Sequence, residues 1–352
     1  MAGFPASRLP VTAVVVNVGI FGASTVGPIV GGYAADAGSW RALFVASAVL
    51  GGIGWVVALT GYADRGPADP DQPFDVPVLV LTVVATVATF VGASLLTGRT
   101  IYSPSVWLPL LAGIAALVVL LAVENRKDDA LIPVRELATQ VPVTGVIAAS
   151  IGGAVFVAAV GLLQQTLAAA GESPAAIAAL CWPMPVGVVV SAIAFGALLR
   201  TRLVPVLVDV GLALLMAGAA LQLVGGATPS DGLVLVVGFL LGAGAGATVS
   251  PGLFVTGWAL PSSSLGKAFA LVQLVRSTVT YAVAPVLLYV AARSGLSSAL
   301  VATTVLAAAG LVAALGIPAL SGARLWKPDL EGWLDGGRAL PSPSLTRVNS
   351  RH

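Results

Sequence analysis

Ten predominantly apolar runs, most of them about twenty residues or longer, divide this sequence, and a run of that length matches the thickness of a bilayer's hydrocarbon core when helical. They lie at residues 11–33, 42–62, 77–97, 105–123, 142–165, 175–199, 203–225, 232–257, 265–292 and 296–320. In lipid every backbone N–H and C=O must be satisfied within the protein, so runs of this kind fold as helices. The expected fold class is therefore an all-α polytopic membrane protein with about ten transmembrane helices. Composition agrees: 58% of residues are hydrophobic and only 9% charged, against about a quarter charged in soluble domains. A signal peptide is the competing reading of the first run. It is long enough to span, and no small-residue cleavage site precedes the second.

The loops are sparse. A polar, Pro-rich connection at 63–76 carries Asp64, Arg65, Asp69, Asp71 and Asp75 and reads as a solvated linker. The segment around Glu124, Arg126, Lys127, Asp128, Asp129, Arg135 and Glu136 alternates in sign, which suits an amphipathic surface segment rather than a nucleic-acid patch. With the first residue inside the cell, Arg41, Arg99 and Arg293 are the basic residues of the outside loops, and all others except Arg276 fall inside. The positive-inside rule then predicts both termini in the cytoplasm and a plasma-membrane, multi-pass location. One cysteine, Cys181, excludes an internal disulfide. The single histidine, His352, leaves no His/Cys cluster for a metal, and no cofactor is expected. No Ser/His/Asp set or paired acids stand out, so an enzyme is not expected.

Within the first run Gly19, Ala23, Gly27 and Gly31 recur every fourth position, a small-residue stripe that lets a neighbouring helix approach closely. Pro28 removes a backbone donor and predicts a kink there. Gly238, Gly242, Gly246 and Ser250 repeat the stripe late in the chain, ending at Pro251-Gly252, and tight helix packing is its expected role.

Gly19, Gly22, Gly27-Pro28 and Gly31-Gly32, followed by Ser39-Trp40-Arg41 and Leu43-Phe44, resemble the antiporter motif and following loop of the major facilitator superfamily, in its fourteen-helix drug:proton antiporter branch. Gln164-Gln165, then Gly171-Glu172-Ser173-Pro174, then Leu180 and Pro183, resemble a later succession of that branch, with a slightly longer gap between Gln and Gly. The resemblance covers most of the chain and implies a layout lacking the first four helices. Residues 1–62 would be the last pair of the N-terminal bundle, 63–141 a linker with a two-helix insert and charged loop, 142–320 a complete six-helix C-terminal bundle, and 321–352 a cytoplasmic tail, partly disordered. The C-terminal bundle should hold two inverted three-helix units.

The resemblance also implies proton-coupled efflux of drugs or small amphipathic solutes by alternating access. The partners are then the lipid bilayer, a small-molecule substrate and protons, with no nucleic acid and with a partner chain as one source of the missing helices. The family's proton-carrying acid and cytoplasmic Gly-x-x-x-Asp-Arg motif lie mainly in its first four helices and are not matched here. A transport-incompetent scaffold or partner subunit is the alternative.

Polar residues inside spans are costly, roughly 2.5–3.5 kcal/mol for a charge at the helix centre, which makes each a candidate for function. Arg276 either lines a substrate cavity or bonds to carbonyls at a kink; Gln273, three residues earlier, shares its face. Asn17 is either a cavity residue or interhelical glue. Gln164 and Gln165 line the cavity or sit solvated at a membrane end, and Asp209 is either a proton site or a headgroup-level acid. Trp182 suits an aromatic belt, and Trp326, Leu330, Trp333 and Leu334 suit a short interfacial amphipathic helix.

Overall fold

A computed structural model describes residues 6–61, 75–127, 130–321 and 326–343. The linker acids from Asp64 to Asp71, Asp128 and Asp129, and the tail beyond 343 lie outside the described residues. Ten described helices are long and apolar enough to cross a membrane: α1 (Leu9–Asp36), α2 (Trp40–Gly61), α3 (Val76–Thr97), α4 (Pro104–Arg126), α5 (Gln140–Ala169), α6 (Pro174–Leu198), α7 (Val204–Gly225), α8 (Asp231–Trp258), α9 (Ser262–Ser294) and α10 (Leu296–Ala319). An eleventh, α11 (Leu330–Leu334), is a single turn in the tail.

The glycine-rich α8 is the hub: nearly all of it from Leu241 to Trp258 is buried. It runs against α5, α6 and α7, and glycine allows backbones to meet at each crossing. A Cβ on Gly187 of α6 would lie 2.6 Å from the Ala243 nitrogen, one on Gly252 of α8 2.9 Å from the Gly145 oxygen, and one on Gly244 2.9 Å from the Gly211 oxygen. Without a hydrophobic drive between helices in lipid, such close van der Waals contact is what holds a bundle together. Helix α10 closes the bundle over α5 and α7, and α9 lies on α5 and carries the α3–α4 hairpin on its flank.

Helix α1 lies along α6, and its contact is not made by the stripe that the sequence emphasises. No neighbour comes within 4 Å of a Cβ built on Gly19, Gly27 or Gly31. The packed row is instead Leu9, Ala13, Asn17, Phe21 and Thr25, all buried, continued by Gly32, whose Cβ would lie 2.6 Å from the Pro174 oxygen. Steps of four residues drift about 40° each around an α-helix. A π-helical turn at Val18–Gly22, with more residues per turn, takes up that drift and keeps the row facing α6. The irregular turn thus precedes Pro28, and the helix runs through Pro28 to Asp36. Helix α2 has no buried residue at all.

Helix α6 breaks in two, Pro174–Leu180 and Pro183–Leu198, around Cys181 and Trp182. Its start is set by Gly171, at φ +93°, and by Ser173, whose Oγ accepts from Ala176 N at 3.2 Å before Pro174 opens the helix. Trp182 is exposed at the break, as a belt residue would be.

The charged segment after α4 is anchored on both its polar and its apolar side: Glu124 is buried and accepts from Ile132 N at 2.9 Å, and Lys127 lies 2.8 Å from Glu124 Oε1 while also bonding Asp75. Apolar residues of the same segment, Ile132 and Leu137, pack with Leu260 and Leu271, which draws the chain back onto the bundle. In the tail Leu330–Leu334 is helical, and its apolar side, Leu330 and Trp333, docks on the bundle. Trp333 is buried among Leu9, Phe195, Phe254, Trp258 and Leu340, and donates from Nε1 to the Leu260 carbonyl at 2.9 Å. Both described ends of the chain therefore meet at one end of the bundle.

Asp75 caps α3 through Val78 N at 3.2 Å. The Lys127 ammonium, and after it the Val78 amide, hold the Asp75 carboxyl below its ordinary value, while Asp75 and then Glu124 hold Lys127 above its own. A depressed carboxylate contributes stability above its unfolded value, near 3.9, that is lost as pH falls through the folded value; a raised lysine contributes below its unfolded value, near 10.4, and loses it as pH rises through the folded one. The latch between the bases of α3 and α4 is thus intact across neutral pH. In Asp75→Ala, which removes the acceptor for Val78 N, hydrogen exchange at Val78 and Leu79, corrected for intrinsic rate, is expected to rise severalfold at pH 7. The wild-type chain is expected to show that rise only below about pH 4. Equal exchange in the two proteins at pH 7 would contradict the latch.

Candidate functional site

Two groups of polar side chains within the spans stand out, along the α5–α9 seam and at the α1–α8 crossing. Gln273 and Arg276 lie three residues apart on α9 and so share a face, and Arg276 Nε donates to Gln273 Oε1 at 2.7 Å. Opposite them α5 presents Gly153. A Cβ there would lie 3.3 Å from Thr280 Oγ1, 3.4 Å from Arg276 Cγ and 3.5 Å from Arg276 Nη1, so Gly153 sets α5 directly against the Arg276 side chain and the Thr280 hydroxyl. Thr280 Oγ1 is buried with no partner among the described residues, as is Ser150 Oγ, one turn before Gly153 on α5. Toward α6 and α8 the seam is closed by Phe21, Ala149, Val188, Val249, Leu253 and Val272.

At the α1–α8 crossing Asn17 donates from Nδ2 to the Gly246 carbonyl at 2.9 Å, and its Oδ1 has no partner among the described residues. Ser250, one turn further along α8, is buried with an unpartnered hydroxyl. Asn17 therefore ties the motif helix to the hub directly, a polar contact in an apolar setting.

The remaining sequence candidates lie apart. Gln164 is half-buried and Gln165 exposed on α5, and neither makes a hydrogen bond among the described residues. Asp209 is half-buried on the wall of a separate cavity of about 630 Å³ between the first turns of α5 and α7, the end of α10 and the tail, shared with Gln140, Thr144 and Trp326. Of the six motif positions, Gly32 makes close contact with α6, and Gly22 lies in ordinary contact with Val18. Pro28 is half-buried, and Gly19, Gly27 and Gly31 face no neighbour within 4 Å.

Ser150, Gly153 and Thr280 were not singled out by the sequence. Hydroxyls in apolar helices commonly bond back to a carbonyl one turn earlier, as Thr166, Thr303 and Thr304 do here, so a lone Ser or Thr carries little signal. The usable one was spacing, since Thr280 stands four residues after Arg276. Among the described residues no three His, Cys, Asp or Glu side chains come together to hold a metal.

The chain is 29% identical over 280 residues to an uncharacterized MFS-type transporter, YubD, of Bacillus subtilis strain 168. The aligned stretch takes in 78% of this chain and 54% of that protein, so the chain spans about half the length of the curated relative it matches. No family model matches the chain.

Proposed function

We propose that this chain is part of a major-facilitator-type membrane transporter that exports small amphipathic solutes by alternating access, coupled to protons. The observation that carries the reading is the polar seam at Arg276: a guanidinium held within a span against a glycine of the facing helix, next to hydroxyls with no partner. A charge at that depth is expensive and persists where it serves a substrate or ion path. The ten spans, the antiporter-like motif and the likeness to an MFS-type transporter support the same reading. Asp209, on the wall of an apolar cavity, is the carboxylate proposed for proton exchange. Alternating access needs a second bundle facing the first, and the bare α2 and the unpartnered stripe of α1 are the surfaces offered to it.

The test is efflux in the native cell, with a panel of anionic, neutral and cationic fluorescent amphiphiles. Deleting the gene is expected to raise steady-state accumulation of at least one dye severalfold. Re-expression should reverse this, and an ionophore that collapses the proton gradient should remove the difference. Accumulation unchanged across the panel would overturn the transport reading. Restoration by Arg276→Ala as complete as by the wild type would remove the seam from the substrate path.

A further inference from the structure

Resting on that transport reading, we infer that the Arg276 seam binds the oxyanion head of its substrate, so that the preferred solutes are carboxylate-bearing amphiphiles. A guanidinium carries five N–H donors. Here the Nε–H goes to the neutral Gln273 Oε1, and no other protein acceptor takes a guanidinium N–H among the described residues. The ion pairs that the described carboxylates make are Asp75 and Glu124 with Lys127 and Glu136 with Arg338, and none of them involves Arg276. The site therefore holds an uncompensated positive charge in apolar surroundings.

The groups around it are those an anion needs. Arg276 Nη1 and Thr280 Oγ1 both lie against Gly153 of α5, within about 3.5 Å of where its Cβ would be. Thr280, 7% exposed, and Ser150, 5% exposed, have hydroxyl oxygens with no partner among the described residues. A hydroxyl rotates to donate to an incoming oxygen, and the guanidinium fork matches a carboxylate in geometry as well as charge. A protonated amine meets only repulsion at this point. A neutral solute leaves the charge as it is.

The experiment measures binding to the purified full chain in nanodiscs of phosphatidylcholine, with no gradient, using a dansylated long-chain fatty acid and its methyl ester. The acid is expected to bind roughly tenfold more tightly than the ester, the size of one charge-assisted contact. In Arg276→Gln the acid should fall to the ester's affinity while the ester is unchanged, and Arg276→Lys should lie between. Thr280→Val keeps the charge and is expected to weaken the acid alone by a few fold.

Equal binding of acid and ester by the wild-type chain would overturn the inference without any variant having to fold. Acid binding that survives Arg276→Gln would do the same. An anionic phospholipid offers the same head chemistry, so the titration is repeated with phosphatidylglycerol added. Undiminished affinity for the acid supports a soluble solute, and full displacement assigns the seam to lipid and overturns it. Acid binding without any efflux would end the transport reading and leave the anion site standing. Efflux of dyes by a chain that does not discriminate acid from ester would do the reverse.

Discussion

Replacing Gly242 by valine should prevent the second half of the chain from assembling. A Cβ at 242 runs into the Met184 carbonyl group, with the carbonyl carbon at 2.7 Å and Cα at 2.8 Å. These are backbone atoms and cannot swing aside. On the facing helix Gly187 meets α8 just as closely, at Phe239 and Ala243, so α6 cannot yield without losing its own contact. Overpacking a tight site costs about 1–3 kcal/mol, more where the backbone must move. Here the whole α6–α8 crossing has to open, and we expect a loss of at least about 3 kcal/mol. Gly232→Ala is the control on the same helix: nothing lies within 4 Å of its Cβ, and removing a helical glycine is neutral to mildly favourable. The reading is the monodisperse fraction and melting temperature after detergent extraction. A Gly242→Val protein as well behaved as Gly232→Ala would mean that the two helices are not in backbone contact.

Trp333→Ala is expected to release the tail while leaving the spans in place. The indole is 1% exposed and packs where α1 begins and α8 ends. Truncating a buried tryptophan costs about 3–5 kcal/mol, and the Leu260 carbonyl loses its donor as well. The other tethers are modest: Leu340 N to the Trp258 carbonyl at 3.0 Å, Val141 N to Ser342 Oγ at 3.1 Å, Ser342 Oγ to Thr139 Oγ1 at 2.8 Å, Gln140 N to the Pro343 carbonyl at 3.2 Å and an exposed Arg338–Glu136 pair at 3.8 Å. Limited trypsin digestion after Arg338 should therefore accelerate by roughly a hundredfold, about 2.7 kcal/mol of lost docking, with little change in the melting of the bundle. Trp333→Phe keeps most of the buried area, loses the hydrogen bond and should fall between the two. Identical digestion of Trp333→Ala and the wild type would show that the indole does not hold the tail.

The spans were legible because length and hydropathy alone decide a membrane helix; the sequence-derived 142–165 extends by two and four residues to Gln140–Ala169, and 232–257 by one at each end to Asp231–Trp258. The tight packing expected along Gly242 and Gly246 is present at both positions, although Gly238 sits in ordinary contact. Direction was harder. Counting by fours through α1 points at the Gly19 stripe, but the packed row from Leu9 to Thr25 has the same spacing, and spacing alone does not say which of two parallel rows meets a neighbour. The cost of burying a charge made Arg276 conspicuous, whereas Gly153 was one glycine among 41. The docked tail was hidden for another reason. The spacing of Leu330 and Trp333 marks an apolar side but not what it meets, and what buries Trp333 and Leu340 comes from α1, α6 and α8, which no local window contains.

The same tail bears on when this fold can be finished. Helix α8 ends with the carbonyls of Trp258 and Leu260 receiving their donors from Leu340 and Trp333, the latter 73 residues further along the chain. During synthesis from the N-terminus those residues are made after α9 and α10 have been threaded. The hub helix therefore waits with an open end while two more spans insert. It is closed only once residues 333 to 340 have been made and fold back onto the end of the bundle.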